Sequence, residues 1–200
     1  MDIDETLDPW TVVSEKRVYE NPWIAVDHRE VLTPSGTPGV YGIVRYRKLA
    51  VGVVPVDEAG RVHLVGQWRV PLDEYSWEIP EGGAEPGEPP EDCARREMQE
   101  ETGLTAATLV PIVSMALSNS CADERCVLFL ATGLRPGPAA PDETEALAHK
   151  VVPFMQALGW VISGQITDSL TVAGLLRAHH MAVTGEIEPG LAAAMLRPAP

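Results

Sequence analysis

The chain has 200 residues, 45% hydrophobic and 22% charged, which suits one globular domain, or one domain with a small appendage. Its formal net charge of −14 sets the surface against a sequence-independent grip on nucleic acid. No apolar run is long enough for a transmembrane helix, so no membrane partner is expected.

The acidic start Met1-Asp2-Ile3-Asp4-Glu5 lacks the basic and apolar regions of a secretory leader, and a cytoplasmic protein is expected. Cys93, Cys121 and Cys126 have no zinc-ligand spacing and read as reduced thiols. Acidity leaves a small phosphorylated substrate open, because carboxylates bind metal ions and metal ions bind phosphate.

In chain order, residues 10–19 and 23–32 are rich in β-branched and aromatic side chains and read as strands, the second ending at the turn Thr33-Pro34-Ser35-Gly36. Residues 40–46 add a third. Residues 49–56 and 61–67 flank Asp57-Glu58-Ala59-Gly60 and predict a β-hairpin. The first of these two is almost wholly apolar, as a central strand buried on both faces would be. A short strand over 75–79 stops at Pro80, and a Gly- and Pro-rich loop follows.

Pro89-Pro90 marks the start of a helix that runs to about Thr102, with Gly103 as its stop. Residues 109–115 and 126–132 read as strands, and 135–145 as an acidic, proline-rich loop. Residues 153–162 and 167–181 have helical periodicity, Trp160 being assigned to the core, and 191–196 form a short last helix. This order predicts an α+β domain, with an N-terminal strand section over 1–48, a main domain over 49–184 and a tail over 185–200.

The helix carries the chemistry. Glu97, Glu100 and Glu101 fall three and four residues apart and share one face, while Ala94 and Met98 lie toward the other side. Like charges so placed oppose helix formation, and Mg²⁺ or Mn²⁺ would offset their repulsion. A solvated acidic face with Arg95 and Arg96 as partners is the plain alternative.

Spacing separates the two. Gly82 is followed after five residues by Glu88, then after seven by Arg96-Glu97-Met98, after one by Glu100-Glu101 and after one by Gly103-Leu104. This pattern resembles the Nudix box, with every fixed position filled. The resemblance implies an α/β/α sandwich around a mixed sheet and hydrolysis of a nucleoside diphosphate derivative. It implies metal ligands at Glu97, Glu100 and Glu101, with the carbonyl of Glu81 as a further ligand. Arg96 matches the family arginine that holds a box glutamate, with Glu88 as its partner. The family also places a catalytic glutamate in a loop after the box; Glu145 is favoured here, then Glu143, then Glu124.

The stretch from Gln67-Trp68-Arg69 to Trp77-Glu78-Ile79-Pro80-Glu81-Gly82-Gly83 is similar to the ADP-ribose pyrophosphatase group of that family. The likeness implies phosphate contact by Arg69, a substrate pocket drawing on Trp68, Glu78, Gly82 and Gly83, and a homodimer joined through the N-terminal strands. Trp68, Tyr75 and Trp77 are open to two readings, base stacking or packing on the sheet. One departure concerns substrate. Residues 116–120 read Ala-Leu-Ser-Asn-Ser where that group has a proline, so UDP- and GDP-sugars stay open beside ADP-ribose. A non-catalytic nucleotide-sugar-binding domain and an RNA-end diphosphatase are the other classes. Intact box glutamates oppose the first, and the acidic charge opposes the second.

Overall fold

The computed structural model describes residues 8–137 and 147–199. They form two compact units, Met1–Lys48 with Ala116–Glu124, and Leu49–Met115 with Arg125–Pro200.

The first unit holds β1 (Thr11–Glu20), β2 (Ile24–Leu32) and β3 (Pro38–Tyr46), antiparallel in that order. Every residue of β1 is exposed. On β2 the Asp27 side chain is buried and takes hydrogen bonds from Arg17 at 3.0 Å and Arg45 at 3.2 Å, which hold its carboxyl below the usual range. The 116–124 segment joins this unit by backbone hydrogen bonds, Val44 N–H to the Cys121 carbonyl at 2.8 Å and Asp123 N–H to the Val44 carbonyl at 3.1 Å.

The second unit contains two sheets. One has the order β7 (Glu81–Gly83), β4 (Ala50–Pro55), β9 (Arg125–Pro136), β8 (Leu104–Ala116), with β4 and β9 parallel. The other has β10 (Ala148–Pro153), β5 (Arg61–Arg69) and β6 (Glu74–Glu78), all antiparallel. β4 is the buried central strand expected of its apolar run, and its period of two feeds two layers. Val51 and Val53 pack with Cys93, Ala94 and Met98 of α1 (Pro90–Thr102). Gly52 and Val54 face α3 (Ser169–Thr184). A Cβ on Gly52 would stand 2.8 Å from Leu128 and 3.4 Å from Leu170, and one on Gly174 2.9 Å from Val54. Helix, sheet and helix are thus stacked as the Nudix resemblance implies.

The 49–67 hairpin needs correction. The Asp57–Gly60 turn forms, with Gly60 N–H on the Asp57 carbonyl at 2.9 Å and Gly60 at φ 74°. Beyond the Val56–Val62 bridge the strands part into different sheets. β4 already has β7 on one edge and β9 on the other, so no edge is left for β5.

α1 starts and ends where the prolines and glycine place it, Gly103 adopting the left-handed φ of 67° and donating its N–H to the Gln99 carbonyl. α2 (Phe154–Ile162) carries Trp160, which is half-buried with the Lys150 ammonium 5.5 Å from its ring, and so lies at the core's margin rather than inside it. α4 (Pro189–Met195) buries Met195 completely, and the recess above Gly60 is filled by the Ala194 backbone. His63 on β5 meets His149 on β10 at 3.0 Å between ring nitrogens. Among the described residues, no helix is long and apolar enough to cross a membrane.

Candidate active site

Helix α1 presents its acidic face to the short strand β7. The Glu97 carboxylate lies against Gly82: a Cβ there would stand 2.2 Å from its carboxyl carbon, so any larger residue would require the Glu97 side chain to leave this position. Arg96 organises the rest. Its Nε and Nη2 donate to the two oxygens of Glu88, each at 3.0 Å, and its Nη1 donates to Glu97 at 2.7 Å and Glu100 at 3.0 Å. One guanidinium therefore spans three carboxylates, in the forked geometry that suits arginine rather than lysine. Glu88 is held down to about 2, chiefly by the Arg96 hydrogen bonds. Glu101 accepts the backbone N–H of Glu81 at 3.1 Å, tying the helix to the loop.

A second cluster lies on the same unit, where β5, β6, β7 and the start of α3 border a cavity of about 270 Å³ lined by Arg69, Ser76, Glu78, Glu81 and Asp168, among others. Arg69 grips the buried Glu78 with two hydrogen bonds, 2.9 Å and 2.6 Å, and reaches Glu81 at 2.8 Å. Gln67 adds a third donor to Glu78 at 3.2 Å. Glu81, Glu78 and Asp168 offer carboxylate oxygens within 4.8 Å of one another. Burial, with Asp168 and Glu78 nearby, pushes the Glu81 carboxyl well above the ordinary range, against the pull of Arg69. Its Oε2 is buried without a hydrogen-bond partner.

The family's divalent metal fits these residues. An orphaned buried carboxylate oxygen, a glycine that leaves room for the Glu97 carboxylate and an all-oxygen donor set are what a hard cation requires. Of the metal ligands expected from sequence, Glu97, Glu100 and Glu101 stand on α1 and Glu81 on β7, while among the described residues the carboxylates whose oxygens converge within 4.8 Å are Glu78, Glu81 and Asp168. Gly83 is on β7 too, its carbonyl 3.4 Å from Arg96.

Other expected site residues are distributed differently. Trp68 is exposed and, by strand alternation, points to the face of β5 opposite Gln67 and Arg69. Tyr75 and Trp77 meet edge to face at 5.7 Å on the sheet, where a Cβ on Gly66 would strike both. Lys150 sits 4.0 Å above the Trp77 ring. Packing is the reading this arrangement favours for that pair. Glu143 and Glu145 lie outside the described residues. Glu124 belongs to the first unit, with its carboxyl raised by burial.

Asp168 and Thr171 were not expected. Thr171 is fully buried; its hydroxyl donates to Asp168 at 2.7 Å and accepts the Ile79 N–H at 2.9 Å. The sequence signal was an aspartate three residues before a threonine at a helix start, a capping pattern whose far partner is 92 residues away.

Residues 46–170 match the NUDIX domain, and residues 10–44 the nucleoside diphosphate sugar hydrolase N-terminal domain. The chain is 32% identical to a protein of Mycobacterium tuberculosis named ADP-ribose pyrophosphatase, over 88% of this chain and 86% of that protein. It is 34% identical to a Bacillus subtilis protein of the same name, over 80% and 86%. A Bacillus methanolicus protein named methanol dehydrogenase activator is 31% identical over 80% and 87%. A crystal structure titled ADP compounds hydrolase superposes with a TM-score of 0.81 at 20% identity, covering 92% of this chain and 100% of that one, a likeness of fold. The chain belongs to the NUDIX family and is a hydrolase of diphosphate bonds.

Proposed function

We propose that this chain hydrolyses ADP-ribose to AMP and ribose 5-phosphate with Mg²⁺ or Mn²⁺ bound at the α1 face. The observation that carries the reading is the seating of the Glu97 carboxylate against Gly82, beside Glu100, Glu101 and the Arg96 clamp. A divalent metal bound there supplies charge neutralisation for the diphosphate and lowers the pKa of an attacking water. Glu97, Glu100 and Glu101 are the ligand side chains, and Arg96 with Glu88 fixes their orientation. Arg69, pre-oriented by Glu78 and Glu81, is the cation assigned to the phosphates. Gly82 and Gly83 keep the loop backbone close to the reacting groups, while Trp68, on the face of β5 opposite Arg69, is assigned no contact with that substrate. The proton acceptor is assigned to Glu145, then to Glu143.

The names of the M. tuberculosis and B. subtilis relatives favour ADP-ribose over UDP- and GDP-sugars. We assign a homodimer through the first unit, where Trp10, Val12, Val13, Val18 and Tyr41 are each exposed and a second copy would cover some of them. The three free thiols suit a reducing, cytoplasmic setting. Nucleic acid and membrane are not assigned as partners.

The test is product release from ADP-ribose, UDP-sugars, GDP-sugars, dinucleoside polyphosphates and NADH with either metal, beside Glu101→Gln. Turnover of ADP-ribose that the variant abolishes supports the proposal. Preference for another nucleotide sugar moves the substrate, and absence of any turnover refutes the reading.

A further inference from the structure

Ile79 closes the strand that leads into the box loop, and its side chain and backbone are buried between β4 and α3. Its N–H has no strand partner at this point. It is taken by the Thr171 hydroxyl at 2.9 Å, from a helix 92 residues further along. That hydroxyl has one proton, and the proton is committed to Asp168 Oδ2 at 2.7 Å, which also accepts the Thr171 N–H at 2.7 Å. The oxygen of Thr171 is thereby aimed as an acceptor at Ile79.

The link continues from Ile79. The Pro80 carbonyl accepts the Val53 N–H at 2.9 Å, and the Glu81 N–H donates to Glu101 at 3.1 Å. The N-terminus of α3 is thus connected through three consecutive residues to a box glutamate and to the loop that carries Glu81 and Gly82.

We propose that Thr171 is a positioning residue for the diphosphatase site, setting the 79–82 loop against the Glu97–Glu101 face of α1 through the Ile79 N–H. The inference rests on the proposed function and names a residue outside the box. Only a buried hydroxyl performs both halves of the task. Valine matches the shape of threonine but leaves the Ile79 N–H buried without an acceptor. Serine keeps the hydroxyl and loses only a methyl group.

The experiment compares wild type, Thr171→Val and Thr171→Ser in three measurements. The first is Mn²⁺ affinity by electron paramagnetic resonance without substrate. The second is the split between kcat and KM for ADP-ribose. The third is amide hydrogen exchange across residues 79–83 with no metal present. The expected result is faster loop exchange in Thr171→Val, Mn²⁺ bound about tenfold more weakly, and kcat falling more than KM rises, with Thr171→Ser restoring all three. Loop exchange and Mn²⁺ affinity equal to wild type in folded Thr171→Val overturn the proposal. Should the wild type bind no Mn²⁺ and cleave no substrate, the proposed function falls. Loop exchange then decides on Thr171 alone.

Discussion

Arg96 meets Glu88 through two parallel hydrogen bonds of 3.0 Å each, across eight residues of chain. The pair closes the loop onto the helix and leaves Nη1 free to reach Glu97 and Glu100. Lysine offers a single point of charge and cannot hold both ends. Arg96→Lys is expected to lower kcat/KM by about tenfold or more while the fold persists, read by steady-state kinetics beside circular dichroism.

The same pair sets an acid limit. The folded Glu88 carboxyl is held near 2 against an ordinary 4.5. A depressed carboxylate stabilises the fold fully above the ordinary value and ceases to do so as pH falls toward 2. Glu88→Gln removes that dependence. Urea unfolding between pH 5 and 2.5 is expected to show a shallower loss of stability in the variant than in wild type.

Gly82→Ala places a methyl group where the Glu97 carboxylate sits, 2.2 Å from its carbon. The helix must then swing its glutamate away or the loop must lift. Diphosphatase activity is expected to fall by about a hundredfold with the thermal transition shifted little, since the clash is confined to a partly exposed loop. Wild-type turnover in this variant would show that Glu97 does not need its place at the glycine.

His63 gives a neutral-range signature. Burial, helped by His149 and Arg61 and opposed by Asp57, lowers its pKa to about 4 from 6.5. The unfolded chain therefore takes up a proton between these values that the folded chain refuses, and stability declines as pH drops from 6.5 toward 4. An NMR titration of the imidazole is expected to show His63 still neutral at pH 5. A midpoint near 6.5 would contradict the buried pairing.

Arg69→Ala strips Glu78 of two hydrogen bonds while leaving the carboxylate buried. Arg69 is itself about one-third exposed, so the loss of stability is expected at about 2 kcal/mol, below that of a fully enclosed pair. Denaturant unfolding measures it. Glu78→Gln in the same background should recover part of the loss, because the uncompensated charge is gone.

Local signals were readable wherever the chain speaks of its own conformation. Pro90 and Gly103 bracket α1, and the apolar run of β4 announces a strand covered on both faces. That Glu97, Glu100 and Glu101 share one face of α1 follows from helix geometry, while their part as metal ligands is what the Nudix resemblance implies. What failed depended on partners distant in sequence. The Asp57–Gly60 turn signals a hairpin, yet edge occupancy by β7 and β9 sends β5 elsewhere. Trp160 follows the apolar period of α2 but sits at the margin, beside Lys150. Nothing near Thr171 reveals that its hydroxyl serves Ile79. Arg69 carries no local mark of its grip on Glu78, which exists only once β5 and β6 pair.

The seating of Ala194 and Met195 over Gly60 carries a consequence for biosynthesis. The turn at residues 57–60 leaves the ribosome early, and the segment that roofs it is made about 135 residues later. Throughout that interval Gly60 lacks the Ala194–Met195 backbone that closes over it in the folded chain, so the turn gains its cover only after α4 is made.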